Sequence, residues 1–87
     1  MFEEIKRLLI ENANCDPTKI TPEALLKDDL GIDSLYAVEL ILYLEEEFNI
    51  TIEWEDIEDL KYVSDVVSLV ERKIGEKKWK ILMILKS

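Results

Sequence analysis

The hydrophobic positions of this 87-residue chain recur at helical spacing over most of its length. The first such repeat is formed by Phe2, Ile5, Leu8, Leu9 and Ala13. It predicts an amphipathic helix. Asp16-Pro17 predicts the end of this helix, because a proline disfavours helical geometry in the residue before it. Further on, Thr21-Pro22-Glu23-Ala24 combines a capping residue with a proline, which predicts a short helical turn.

A second helical pattern extends from Ser34 to Phe48 and indicates a helix about 22 Å long. Its apolar positions form one broad predicted face made up of Leu35, Val38, Ile41, Leu42, Leu44 and Phe48. The opposite face carries Tyr36, Glu39, Tyr43, Glu46 and Glu47. We expect Asp33 or Ser34 to cap the helix start by accepting hydrogen bonds from its first N–H groups.

The stretch after Phe48 alternates apolar and polar residues, with Ile50, Ile52 and Trp54 apolar, which by itself is typical of a strand. No second strand is evident to pair with it, and an isolated strand is not stable. The sequence therefore predicts an extended connection and then a short helix near Trp54–Leu60.

The last clear helical pattern consists of Val63, Val66, Val67, Val70 and Ile74, with Ser64 as a plausible cap. Gly75 predicts its end, because glycine is favoured just past a helix C-terminus. The sequence thus predicts an all-α fold, a small four-helix bundle with three long helices and one short one in residues 1–75. Residues 76–87 form a basic and apolar extension, for which packing back on the bundle, docking elsewhere and disorder are all open.

Charge is unevenly distributed along the chain, and this distribution limits the kinds of partner that we expect. The net charge is −9, with 19 acidic against 5 basic side chains in residues 1–71 and 1 against 6 in residues 72–87. An acidic body is unsuited to nucleic acid, which requires a basic face. It favours partners with basic docking surfaces. The opposite charges of the two parts favour packing of the extension on its own bundle.

The single cysteine, Cys15, excludes an internal disulfide and a Cys/His zinc site, and favours a reducing, cytoplasmic location. We expect it to be a core or boundary residue. The acidic start lacks the pattern of a signal peptide, and no apolar run approaches the ~20 residues of a membrane span.

Ser34 is the most plausible site of covalent chemistry, since it follows Asp33 where a loop becomes a helix. The chain has no histidine, the usual base for a nucleophilic serine, so we assign no catalytic residue. A Ser–Lys arrangement stays open. The nearby aspartates do not match the ligand spacing of a calcium-binding EF-hand, and no metal site is predicted.

A longer sequence motif around Ser34 resembles a known protein family. Asp29-Leu30-Gly31-Ile32-Asp33-Ser34-Leu35, followed by Ala37-Val38-Glu39-Leu40 and Leu44-Glu45-Glu46-Glu47-Phe48, is similar to the acyl carrier proteins. The resemblance covers about residues 2–75, including Tyr62-Val63-Ser64-Asp65. It implies a carrier rather than an enzyme. Ser34 would bear a covalent 4′-phosphopantetheine arm, attached from coenzyme A by a phosphopantetheinyl transferase, and Asp33 would take part in recognition by that transferase.

The resemblance also implies two further sites. Glu39, Glu45, Glu46 and Glu47 on the second helix would meet basic residues of acyl-handling enzymes. Ile52, Ile57 and Leu60 would line a pocket for a short acyl chain. Tyr36 departs from the family, since fatty-acid carriers usually have an acid at its position, and Tyr43 lies on the same face. Both suggest other or additional partners.

The expected function is that of a free-standing carrier monomer for fatty-acid or related biosynthesis. A specialised carrier of polyketide, lipid-tailoring or aminoacyl cargo is the nearest alternative. A helical interaction module that is never modified is the alternative from another class.

Overall fold

Four α-helices follow one another in the computed structural model, which describes residues 1–86. They are α1 (Phe2–Ala13), α2 (Ser34–Phe48), α3 (Trp54–Glu58) and α4 (Val63–Lys86), with a 3₁₀ turn at Pro17–Lys19 between α1 and α2. The only extended pairing in this range is an isolated bridge between Leu25 and Tyr62. The predicted all-α bundle and the extended connection before α3 are confirmed.

The loop between α1 and α2 differs in detail from its predicted form. Helix α1 ends at Ala13, and Asn14 caps it in a left-handed conformation with φ of 52°, three residues before Pro17. The helical turn lies at Pro17–Lys19 and is capped by Asp16, whose side chain accepts a hydrogen bond from Thr18 N. Around Thr21 there is only a hydrogen-bonded turn, closed by Ala24 N donating to Thr21 O at 3.1 Å.

The core lies where α1, α2 and α4 pack against one another. Its fully buried side chains are Ile5, Leu9, Leu44, Val63, Val66 and Val70. Cys15 is also buried, and burial raises the pKa of its thiol, so its predicted place in the core is confirmed.

The broad apolar face predicted for α2 is wrong at three positions. Leu40, Ile41 and Leu44 are buried, but Leu35, Val38 and Leu42 are 68%, 45% and 59% exposed. Neighbouring helices cover one side of α2 only, and its apolar residues occupy more of the circumference than that side can hold. The chain therefore leaves an apolar strip in water on α2.

Two acidic side chains fix α3 and the connection that precedes it. Glu45 Oε2 accepts a hydrogen bond from Ile52 N at 3.1 Å, which ties the extended segment to α2. Asp56 accepts from Glu53 N and is paired with Lys73 Nζ at 2.9 Å and with Arg72, both on α4. The hydrogen bond with Lys73 is the main cause that lowers the pKa of Asp56. These contacts hold α3 beside the middle of α4.

The predicted end of the last helix at Gly75 is wrong, because α4 continues to Lys86. Glycine inside a helix costs only about 1 kcal/mol relative to alanine, and the residues after it are good helix formers. Gly75 accordingly lacks the positive φ of a C-terminal glycine cap. The suggested domain boundary at residue 75 thus falls within a continuous helix, and it stays a prediction.

The extension is largely exposed in the structure, and its packing back on the bundle stays one of the predicted alternatives. Trp79 and the run from Ile81 to Leu85 are 49–77% exposed, and the molecule measures 47 × 23 × 20 Å along its principal axes. Its first turns meet the bundle, where Lys77 Nζ donates to Asn49 O at 3.1 Å. Ser87 lies outside the described residues. No helix within residues 1–86 is long and apolar enough to span a membrane.

Candidate functional site

Ser34 is the first residue of α2, and its side chain is exposed. The loop reaches this position through Gly31, whose φ of 69° is a conformation that side chains rarely adopt, and through Ile32 N donating to Leu26 O at 2.8 Å. No hydrogen bond within residues 1–86 involves the Ser34 hydroxyl. The hydroxyl is therefore accessible, and within the described residues no base is hydrogen-bonded to it.

Sequence analysis left the cap of α2 open between Asp33 and Ser34, and the structure has Asp33. Its Oδ1 accepts hydrogen bonds from Leu35 N and Tyr36 N, both at 3.1 Å, and its carbonyl oxygen accepts from Ala37 N at 2.8 Å. The capping carboxylate therefore occupies N–H groups that could otherwise hold a phosphate on Ser34. Positive charge near Ser34 comes instead from the helix dipole and from two lysines of the adjoining cavity.

That cavity opens beside Ser34 and has a volume of about 430 Å³. Its apolar walls come from the loop before α2, from the first turns of α2 and from the end of α3. They are formed by Leu25, Leu26, Ile32, Ala37, Leu40, Ile41, Ile57 and Leu60, and its polar lining by Lys27, Asp28, Asp33, Ser34 and Lys61. A volume at the lower end of the ~300–1,000 Å³ of small-molecule sites suits a short apolar chain that enters from Ser34.

Two of the three residues predicted to form the acyl pocket line this cavity, and the third does not. Ile57 and Leu60 line the cavity, whereas Ile52 is not among its lining residues and is buried in the core. Trp54 is exposed and does not line it either. Helical spacing could have identified two residues that sequence analysis missed. Ala37 and Ile41 lie three and seven positions after Ser34 and therefore share its face of α2.

The outer face of α2, defined here as Leu35, Tyr36, Val38, Glu39, Leu42, Tyr43 and Glu46, contains four of the six residues predicted to dock partners. Tyr36, Glu39, Tyr43 and Glu46 are all exposed. The other two have contacts within the chain. Glu47 pairs with Arg7 at 3.0 Å, and Glu45 is half-buried against Ile52 N.

Sequence analysis placed the three apolar residues of this face on the same apolar side of α2 as Ile41 and Leu44. The signal that could have placed them outside is the excess of apolar residues around α2. A helix packed on one side buries an apolar stripe of limited width, and the remaining apolar residues must lie in water. An exposed strip of Leu35, Val38 and Leu42 flanked by acids is typical of an interaction surface.

The site offers a point of attachment. Within residues 1–86 no group of three or more His, Cys, Asp or Glu side chains could hold a metal ion. What the arrangement offers is an exposed primary hydroxyl, a rigid helix start and an adjoining apolar cavity.

Comparison with known proteins shows which family the chain is similar to. Residues 3–70 match the family described as a phosphopantetheine attachment site. The chain is 47% identical over 70 residues to the acyl carrier protein of Bdellovibrio bacteriovorus, covering 80% of this chain and 90% of that one. It is 42% identical over 75 residues to the acyl carrier protein of Thermosynechococcus vestitus, with 86% and 93% covered.

The fold agrees with these similarities. The crystal structure of the acyl carrier protein from Thermotoga maritima superimposes with a TM-score of 0.75 at 28% identity, covering 85% of this chain and 86% of that chain. Proteins of this family carry covalent 4′-phosphopantetheine, are modified by a phosphopantetheinyl transferase and present acyl groups to other enzymes rather than acting as enzymes themselves. The match to the family covers most of the chain, and this protein therefore belongs to the acyl carrier proteins.

Proposed function

We propose that Ser34 is the attachment residue and that the protein carries acyl groups for fatty-acid or related biosynthesis. The observation that carries this proposal is the exposed Ser34 hydroxyl at the start of α2, at the rim of the apolar cavity. When bound, the arm supplies a terminal thiol that holds acyl groups as thioesters. Cys15, which is buried, is not needed for this chemistry.

The residues around Ser34 fit a phosphodiester followed by an apolar cargo. Lys27 and Lys61 line the polar part of the cavity and offset the negative charge that Asp33 and a phosphate would bring together. Ile57 and Leu60 lie on its apolar wall beside Ala37 and Ile41. In this proposal they shelter the acyl chain, while the core position of Ile52 makes it a support of the bundle.

The outer face of α2 is the proposed docking surface for the transferase and for acyl-handling enzymes with basic patches. Leu35, Val38 and Leu42 would supply the apolar contact. Glu39 and Glu46 have no ion-pair partner among residues 1–86 and would supply the charges that steer association. Tyr36 and Tyr43 lie on the same face and favour partners other than, or in addition to, those of general fatty-acid synthesis. A specialised polyketide, lipid-tailoring or aminoacyl carrier is therefore the second candidate. A cytoplasmic location stays a prediction.

Incubation with coenzyme A and a broad-specificity phosphopantetheinyl transferase tests the function. We expect intact-mass spectrometry to show one added phosphopantetheine. With an acyl-coenzyme A in place of coenzyme A, we expect an acylated product from which hydroxylamine releases the acyl group, as it does from a thioester. If the wild-type protein gains no mass, the unmodified interaction module becomes the better explanation.

Two substitutions of Asp33 separate its capping role from recognition by the transferase. Asp33→Ala removes the side-chain acceptor for Leu35 N and Tyr36 N, so we expect the free energy of unfolding to fall by about 0.5–2 kcal/mol. Asp33→Asn keeps a capping oxygen, so we expect most of that stability to remain. Urea denaturation measures both.

If the carboxylate itself is recognised, Asp33→Asn should be modified much more slowly than wild type despite its stability. Equal modification rates for Asp33→Asn and wild type would contradict a role of the charge in recognition.

A further inference from the structure

The C-terminal part of α4 is an uncovered helix of unusual composition. We call residues 76–86 the tail. Its basic side chains are Lys77, Lys78, Lys80 and Lys86, and its apolar side chains are Trp79, Ile81, Leu82, Met83, Ile84 and Leu85. The tail spans about 15 Å at 1.5 Å per residue. The family match ends at residue 70, so the tail lies outside it.

The tail has the pattern of a helix buried by protein rather than one lying on a membrane. Five consecutive apolar residues, Ile81 to Leu85, point in successive 100° steps and so cover every side of the helix. A helix lying on a lipid surface keeps a continuous polar face, and this run has none. A helical stretch that is apolar on every side is typically buried in protein or spans a membrane, and no helix within residues 1–86 is long and apolar enough to span one.

The same molecule carries a second uncovered surface that complements the tail. The outer face of α2 exposes Leu35, Val38 and Leu42 together with two tyrosines, and α2 contains four glutamates and no basic residue. The tail contains four lysines and, in residues 77–86, no acid. Both surfaces are apolar, and they carry opposite charge.

The tail cannot reach this surface on its own molecule while α4 is straight. Helices α2 and α4 run in the same direction, since Lys61 just before α4 lines the cavity beside Ser34, and Lys77 contacts Asn49 at the end of α2. The tail therefore projects beyond the end of α2, away from Ser34. A second copy in the antiparallel orientation would place its own α2 alongside this tail.

We propose that two copies of this chain form a reciprocal dimer in which the tail of each packs on the outer face of α2 of the other. The length of the tail matches the stretch of α2 from Val38 to Phe48, so Leu42, Tyr43 and Glu46 are central to the contact and Ser34 is left open. Opposed tail and α2 charges set the antiparallel alignment. If the proposed docking of enzymes on α2 is correct, the dimer competes with them.

Sedimentation equilibrium of the full chain, from micromolar to millimolar concentration, tests the dimer. We expect a monomer–dimer equilibrium whose dissociation constant rises as the salt concentration is raised. Leu42→Glu on α2 and the pair Leu82→Glu and Leu85→Glu in the tail should each weaken it at least about tenfold, since each places a charge in an apolar contact. Tyr62→Glu, at the other end of α4, is the matched control and should leave it unchanged.

A charge exchange identifies which surfaces meet. Glu46→Lys should weaken the dimer, as should Lys78→Glu, since the antiparallel alignment places these two residues opposite each other. The two together should restore it to within about threefold of wild type, because opposite charges again face each other. The apo protein is used, so these results do not depend on whether Ser34 is modified.

Three outcomes would overturn the proposal. One is a monomer at every concentration. Another is a dimer that is unaffected by Leu42→Glu and Glu46→Lys on α2 but is lost when the tail is substituted. That result would indicate that the tails pair with each other. The third is a monomer that floats with phosphatidylcholine–phosphatidylglycerol vesicles unless the tail is substituted, which would assign the tail to membranes.

Discussion

Ser34→Ala should abolish the addition of phosphopantetheine while leaving the bundle folded. In the proposed function the Ser34 hydroxyl forms the phosphodiester, and it makes no hydrogen bond within the described residues. The cap of α2 is supplied by Asp33, whose acceptors are untouched by the change. We therefore expect no gain of mass with coenzyme A and transferase, and a change in unfolding free energy within about 0.5 kcal/mol.

Ser64→Ala is the matched control, since Ser64 is an exposed serine in the first turn of α4 and also lies beside an aspartate. This variant should be modified as fast as wild type. Modification that persists in Ser34→Ala at the wild-type rate would assign the attachment to another hydroxyl. Loss of modification together with a lowered melting temperature would show that the change had disturbed the bundle, and Ser34→Thr would then be the substitution to test.

Several features around Ser34 could be predicted from the sequence, because they depend on residues close together in the chain. The limits of α2 at Ser34 and Phe48 and a cap by Asp33 or Ser34 followed from helical spacing and from the preference for short acceptors at helix starts. Ile57 and Leu60 were placed correctly because their positions in a short helix fix which side faces inward. These features depend on residues near one another in the chain.

The features that sequence analysis missed depend on what lies next to each helix. Leu42 and Leu44 are both apolar positions of α2, and only the packing of α1 and α4 decides that the first is exposed. The cavity takes walls from Leu25 and Leu26 in the loop before α2, which helical periodicity cannot place. At Gly75 the local stop signal was outweighed, because helix formation is cooperative and the following residues favour it.

Leu44→Ala and Leu42→Ala should differ sharply in stability although both remove the same atoms from the same helix. Leu44 is fully buried in the core. Truncating a buried leucine removes its apolar contacts and leaves a cavity, at a cost of about 2–5 kcal/mol. That is a large part of the ~5–15 kcal/mol that holds a domain of ordinary stability together. Leu42 is exposed, so its truncation should cost no more than about 0.5 kcal/mol.

Urea denaturation at concentrations below any association measures this difference. The two variants should have the same slope against urea as wild type, with only the midpoint of Leu44→Ala strongly lowered. Leu42→Ala should instead bind its partner enzymes more weakly at full stability, since its side chain is free for intermolecular contact. Equal loss of stability in the two variants would mean that Leu42 is covered in solution. Such cover at low concentration would contradict the assignment of α2's outer face as an open docking surface, and it would point to the tail bending at Gly75 to lie on that face.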